Sequence, residues 1–164
     1  AARGKACAGE GSQRCRVAGE HPSHEFLRGG HPGREIVAGV DDPALAQAVC
    51  RYDLSRGALR LKADLPPDAL TLMSFHGRFG EIFYSMTDRS ATRGKLDVLV
   101  LTQRQLEAVE ADDEEELPQE LRIVSPTQQG FVLIRALAAL PGDMPEAQRR
   151  ALSFECAAEP NSNS

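Results

Sequence analysis

Val49-Cys50-Arg51-Tyr52-Asp53-Leu54-Ser55-Arg56-Gly57-Ala58-Leu59-Arg60-Leu61-Lys62-Ala63-Asp64-Leu65-Pro66 is the stretch whose pattern decides the fold. Cys50, Tyr52 and Leu54 alternate with Arg51 and Asp53; Leu59, Leu61, Ala63 and Leu65 then alternate with Ala58, Arg60, Lys62 and Asp64. A period of two in both arms predicts two strands, each with one buried and one wet face. Ser55-Arg56-Gly57 supplies a reversal, with Gly57 free to take positive φ, so the stretch reads as a hairpin.

Working outward, Asp41-Asp42-Pro43-Ala44-Leu45-Ala46-Gln47 reads as a short helix, with an aspartate cap and Pro43 near its first position. After Pro66-Pro67, residues 69–76 and 81–87 predict a second hairpin around Gly77-Arg78-Phe79-Gly80. Both of its strands carry apolar residues on each face, which places it centrally in the sheet. Lys95 to Leu101 is a further strand, followed by the capping box Thr102 and Gln105 and a helix to about Glu115, with Leu106 and Val109 toward the sheet. The acidic run Asp112 to Glu116 sits where the helix dipole disfavours negative charge, so that end is expected to fray. Strands are expected at 121–124 and 131–137. A last helix opens at Asp143, with Glu146 three residues on, and ends at Cys156.

The fold class that results is mainly β (α+β): an antiparallel, β-sandwich-like sheet with two short helices at its edge. Residues 1–35, rich in Gly and Pro and holding His21, His24 and His31, read as a flexible arm. Residues 36–156 read as a single β-rich domain and 157–164 as a disordered polar tail.

The chain has 164 residues, enough for one core that buries roughly two thirds of the unfolded surface. A net charge of −5, an aromatic content of 5% and no Trp argue against phosphate backbones and base-stacking platforms. Nucleic acid is therefore not expected as a partner. No run of about 18 apolar residues is present to span a bilayer. The chain opens on Ala1 rather than Met, which suggests a processed or truncated product, compatible with a signal or anchor removed upstream.

Four cysteines, Cys7, Cys15, Cys50 and Cys156, permit three full pairings, and an even count is compatible with an oxidising compartment. Cys50 on the buried face of the first strand and Cys156 at the end of the closing helix are placed to tie the core together; the alternative is two unrelated buried thiols. Cys7 and Cys15 can pair with each other or stay free. The spacing of the arm's Cys and His residues lacks the short knuckle of a zinc site, so no metal is expected.

For acid and base chemistry the candidates are His76, Glu81, Asp88 and Arg89. His76 and Glu81 flank the second turn, where an ion pair at the hairpin end is the simpler reading. Arg135 stands on a face otherwise held by Phe131, Leu133 and Leu137 and needs a carboxylate, for which Asp53, Asp88 and Asp97 are candidates. Arg135, Asp88 and Arg89 are also the candidate binding residues. No phosphate loop, nucleophile elbow, HExxH or dinucleotide fingerprint is present, and no cofactor is expected.

The motifs Asp42-Pro43-Ala44-Leu45-Ala46 leading into Cys50-Arg51-Tyr52-Asp53-Leu54, Thr87-Asp88-Arg89, Leu96-Asp97-Val98-Leu99-Val100 and Gly130-Phe131-Val132-Leu133-Ile134-Arg135, in this order, resemble the bacterial family called domain of unknown function twelve-fifty-four. The resemblance covers about 42–156. It implies a β-sandwich-like domain of the bacterial cell envelope, in the periplasm, tethered to the inner membrane in full-length form by an N-terminal helix that is absent here. The arm before Glu35 departs from the family pattern. The family carries no settled activity, so the expectation is a binding or structural module for an unknown protein or small-molecule ligand. The alternative is an envelope hydrolase with a polar pocket near His76 and Asp88.

Overall fold

A computed structural model describes residues 15–18, 42–112 and 120–160. The strands are β1 (Cys15–Ala18), β2 (Leu45–Asp53), β3 (Ala58–Asp64), β4 (Thr71–His76), β5 (Ile82–Thr87), β6 (Lys95–Leu101), β7 (Leu121–Val124), β8 (Gln129–Leu137) and β9 (Glu155–Glu159). The helices are α1 (Gln103–Asp112) and α2 (Met144–Leu152). One sheet runs β1-β2-β8-β4-β5 and is antiparallel throughout; the other runs β7-β6-β3-β9, with β6 and β7 parallel. The mainly β sandwich with two short helices is the class the alternation predicts.

The alternation fills the space between the sheets. Cys50, Tyr52, Phe75 and Ile134 from the first sheet meet Leu61, Val98 and Val100 from the second in one buried cluster. Cys50 and Cys156 stand at disulfide distance with Cα atoms 6.5 Å apart, joining β2 of one sheet to β9 of the other. Helix α2 packs against β2 and β8. Its buried Ala147 and Ala151 join the cluster that holds Ala46, Ala48 and Ala136, small residues that let a helix approach a sheet closely. Helix α1 lies on the second sheet, where Leu106 packs on Ala58, Leu99 and Leu101. Its capping box forms: the Thr102 N–H donates to Gln105 Oε1 at 2.8 Å, and the Gln105 N–H donates to Thr102 Oγ1.

Several sequence expectations are corrected. The opening stretch is not a hairpin: β2 pairs with β1 and β8, whereas β3 pairs with β6 and β9. Between them the chain makes one 3-10 turn at Leu54–Arg56, with Asp53 accepting from the Ser55 N–H. Gly57, at φ 141, then lets it pass into the other sheet. Period two reports that each segment is a strand, and that holds; the one-wet-face reading fails where Gln47 and Val49 on β2 and Ala58 on β3 are buried on the second face as well. The pattern carries no information about which strand is the neighbour.

Residues 45–47 begin β2 rather than a helix: an Asp42 turn precedes them, its carboxylate accepting from the Ala44 N–H, and from Leu45 on they pair with β8, with Ala46 under helix α2. The closing helix stops at Leu152, and Cys156 lies on β9. Residues 157–159, expected in a disordered tail, complete β9 against β3. Cys15 to Ala18, inside the expected flexible arm, form β1. The β4–β5 hairpin exists, but β5 is the outer strand and is mostly exposed rather than central. The expected fraying over Asp112 to Glu116 lies outside the described side chains.

Candidate functional site

The outer face of the five-stranded sheet carries His76 and Arg135; Glu81 lies in the β4–β5 turn, and Asp88 and Arg89 follow β5. Register fixes the rows: Gln47, Arg135, Leu72 and Thr87 form one, and Phe131 pairs with His76 further along. Because β4 and β5 are antiparallel, His76 and Glu81 stand at the turn end of the hairpin, while Asp88 and Arg89 follow Thr87 at the other. Six residues of β5 separate the two pairs, roughly 20 Å. The four acid-base candidates are therefore not brought together. Arg135 shares its row with Thr87, the residue before Asp88, so the three binding candidates lie at one end of the sheet.

His76 is fully buried. Its Nδ1 lies 3.0 Å from the Gly80 carbonyl, which can only accept, so Nδ1 carries the proton. Nε2 is then the acceptor for the Ser74 hydroxyl at 2.9 Å. Burial pushes the His76 pKa below its ordinary value of 6.5, and the charge of Arg135 adds to the effect. The imidazole is held neutral, in one tautomer, stacked on Phe131 at 4.4 Å. No ion pair joins it to Glu81 among the described residues; the Glu81 carboxylate instead accepts from the Phe79 N–H in the turn.

Behind His76, the Tyr52 hydroxyl donates to the His76 carbonyl at 3.0 Å and lies 3.0 Å from Ser125 Oγ. Ser125 also donates to the Thr127 carbonyl. This chain joins β2, β4 and the β7–β8 connection, and burial raises the Tyr52 pKa to about 12. The sequence places Tyr52 correctly in the core. It gives no sign of this hydroxyl partnership, since the partners are 24 and 73 residues away.

None of the three carboxylates considered for Arg135 pairs with it among the described residues. Asp53 binds Ser55 and Gln129. Asp97 belongs to a network on the outer face of the second sheet, where Arg60 bonds Asp97, Glu120 and Glu159 at 2.7–3.0 Å. Asp88 opens a 3-10 turn.

Beside these groups lies the edge of the sheet that no described strand covers. Among the described residues β5 is its last strand, and between Glu81 and Asp88 it contains neither a charge nor a proline. Ile82 is 57% and Tyr84 40% exposed, and Phe79 in the adjoining turn is 61% exposed. Edge strands are ordinarily protected by charge, proline or a bulge along the open side. β5 has only a register shift near its start, at Phe75/His76 on its partner. The sequence signal for this edge is the same uncharged run that was read as a central strand. No group of acidic, His or Cys side chains among the described residues could hold a metal ion.

The arrangement defines a β-sandwich domain with a sealed polar cluster and, among the described residues, an uncovered edge at β5. No protein-family model matches the chain, and neither does any curated protein sequence. Among solved structures, the VPA0106 protein from Vibrio parahaemolyticus is similar, with a TM-score of 0.54 at 11% identity over 73% of this chain and 28% of that one. An uncharacterized protein from Burkholderia cenocepacia gives a TM-score of 0.48 at 14% identity, over 75% of this chain and 32% of that one. The chain thus spans under a third of either protein, and the first likeness bears on the fold alone.

Proposed function

We propose that this domain is a non-enzymatic binding module of the bacterial cell envelope that accepts an extended segment of a partner protein as an added strand on β5. The observation that carries the reading is the uncharged, outward-facing edge from Ile82 to Thr87 with Ile82 and Tyr84 exposed. Strand addition draws affinity from backbone hydrogen bonds and specificity from alternate side chains, and β5 offers both. The cell-envelope placement is supported by the Cys50–Cys156 pair, which suits an oxidising compartment, and by the sequence resemblance to domain of unknown function twelve-fifty-four. In full-length form, tethering to the inner membrane belongs to this reading. Among the described residues no helix is long and apolar enough to cross a membrane.

Extended peptides selected from a random display library against the domain provide the test. They are expected to protect β5 amides from hydrogen exchange and to bind about tenfold or more weakly to Ser85→Lys, which puts a charge on the edge. Peptides that leave β5 exchange unchanged contradict the reading.

One observation favours hydrolysis as a second reading: the Ser74 hydroxyl and His76 Nε2 are hydrogen-bonded, with the ring oriented by a third group, as in an activated nucleophile. Ser74 and His76 are both buried, however, and Asp88 lies at the far end of β5. A serine-directed fluorophosphonate probe that labels Ser74 supports hydrolysis; an unlabelled Ser74 in the folded protein sinks it.

A further inference from the structure

Cys15 on β1 is the register partner of Cys50 on β2, and Cys50 stands at disulfide distance from Cys156 on β9. Directly opposed residues of an antiparallel pair share a face of the sheet and have Cα atoms about 4.5–5.5 Å apart. Disulfides span Cα separations of about 4.4–6.8 Å. Register therefore puts Cys15 within bonding reach of Cys50, as the 6.5 Å Cα separation does for Cys156. Cys50 has a partner on each side, β1 in its own sheet and β9 in the other, and its sulfur bonds one of them at a time.

Chain length decides which partner Cys50 meets first. Cys15 and Cys50 are 35 residues apart, whereas Cys50 and Cys156 are 106 apart. In an unfolded chain the chance of closing a loop falls as roughly the three-halves power of its length, so Cys50 meets Cys15 about fivefold more often than it meets Cys156. Folding reverses that preference. Once β9 pairs with β3 from Ala58 to Lys62, Cys156 is delivered to the core beside Cys50, where both residues are buried.

We infer that Cys15, Cys50 and Cys156 form a thiol–disulfide exchange site in which Cys50 is bonded first to Cys15 and then to Cys156. The first bond is made by exchange with an external disulfide, which takes the two electrons of the Cys15 and Cys50 thiols. The Cys156 thiolate then attacks Cys50 Sγ; the new S–S bond forms as the Cys15–Cys50 bond breaks, and Cys15 leaves as a thiolate and takes up a proton. One disulfide is lost and one gained, so this second step needs no oxidant. The reverse attack by Cys15 frees β9 from its covalent hold. The inference rests on the Cys50–Cys156 bond and not on strand addition at β5.

The test oxidises the reduced full chain with oxidised glutathione, quenches it with acid at intervals and maps the linked peptides by mass spectrometry. A Cys15–Cys50 peptide is expected to rise first and to decay as Cys50–Cys156 accumulates. The Cys15–Cys50 species, freed of glutathione and returned to about pH 8, where thiolate is present, is expected to convert to Cys50–Cys156 with no further oxidant. Cys156→Ser is expected to retain Cys15–Cys50 in at least about tenfold excess over Cys7–Cys50, because register selects the pair. Accumulation of Cys50–Cys156 with no Cys15–Cys50 before it, or failure of the isolated species to convert, overturns the exchange site and leaves the clamp standing. A Cys7–Cys15 link as the first bond also overturns it. Absence of Cys50–Cys156 at every time removes the clamp and the exchange site together. Should Cys156→Ser not fold, the time course of the unaltered chain decides the matter.

Discussion

Tyr52 and Gly130 are register partners on β2 and β8, and the phenol ring lies where a side chain at position 130 would stand. A Cβ there would overlap both the Tyr52 hydroxyl and the His76 carbonyl, so glycine is required by what crosses it. Gly130→Ala is expected to cost about 1–3 kcal/mol or more, as overpacking of a filled core does. Gly142→Ala, with open space around it, should fall within about 1 kcal/mol of the parent on either side. Urea midpoints compare the two, and equal effects would contradict the account. His76 makes a second prediction. Unfolded, it takes up a proton near pH 6.5; folded, it holds the proton off to lower pH because it is buried. Its contribution is therefore complete above the unfolded value and is lost as pH falls toward the folded one. The slope is at most about 1.4 kcal/mol per pH unit. His76→Gln should flatten the fall in urea midpoint between pH 7.5 and 5.5; an undiminished slope would assign it to other groups.

At the scale of elements, the second sheet is held across its outer face by Arg60 on β3, which joins Asp97 on β6, Glu159 on β9 and Glu120 ahead of β7. Those carboxylates pull the Arg60 pKa above its ordinary value, with the Asp97 hydrogen bond foremost. Arg60→Gln removes the cation that the three carboxylates share, leaving Arg122 on Glu120 and Lys62 3.9 Å from Asp97, and is expected to cost roughly 1 kcal/mol at low salt. The loss should shrink in 1 M salt, because the cluster is partly exposed. A salt-independent loss in chemical denaturation would point to packing of the arginine stem. Strands and their inward faces were legible in the sequence where apolar and charged residues alternate, as in Leu59 to Asp64 of β3. The capping box at Thr102 was legible for the same local reason. Partners were not: that β2 and β3 part company after Leu54 depends on contacts with β8 and β9, far along the chain. β9 itself, Glu-Cys-Ala-Ala-Glu, is too short and too rich in alanine to distinguish from the end of a helix. Of the candidate site, Arg135 stood out as a charge in an apolar row, but its lack of a carboxylate is a tertiary fact.

On the scale of the whole molecule, the two sheets share one core and are joined where β2 faces β9. The Cys50–Cys156 pair spans 106 residues of chain, and in the chain-entropy account such a link stabilises by about 4–5 kcal/mol. It is also the feature that ties architecture to compartment, since a bond of this kind persists in the envelope and is reduced in the cytosol. The proposal that rests on this pair is a disulfide-clamped extracytoplasmic module. The most direct measurement is a peptide map by mass spectrometry of protein isolated from its native compartment, with thiols blocked at lysis, before and after reduction. The account predicts a Cys50–Cys156 linked peptide that disappears on reduction; free, blocked thiols at both positions would contradict it.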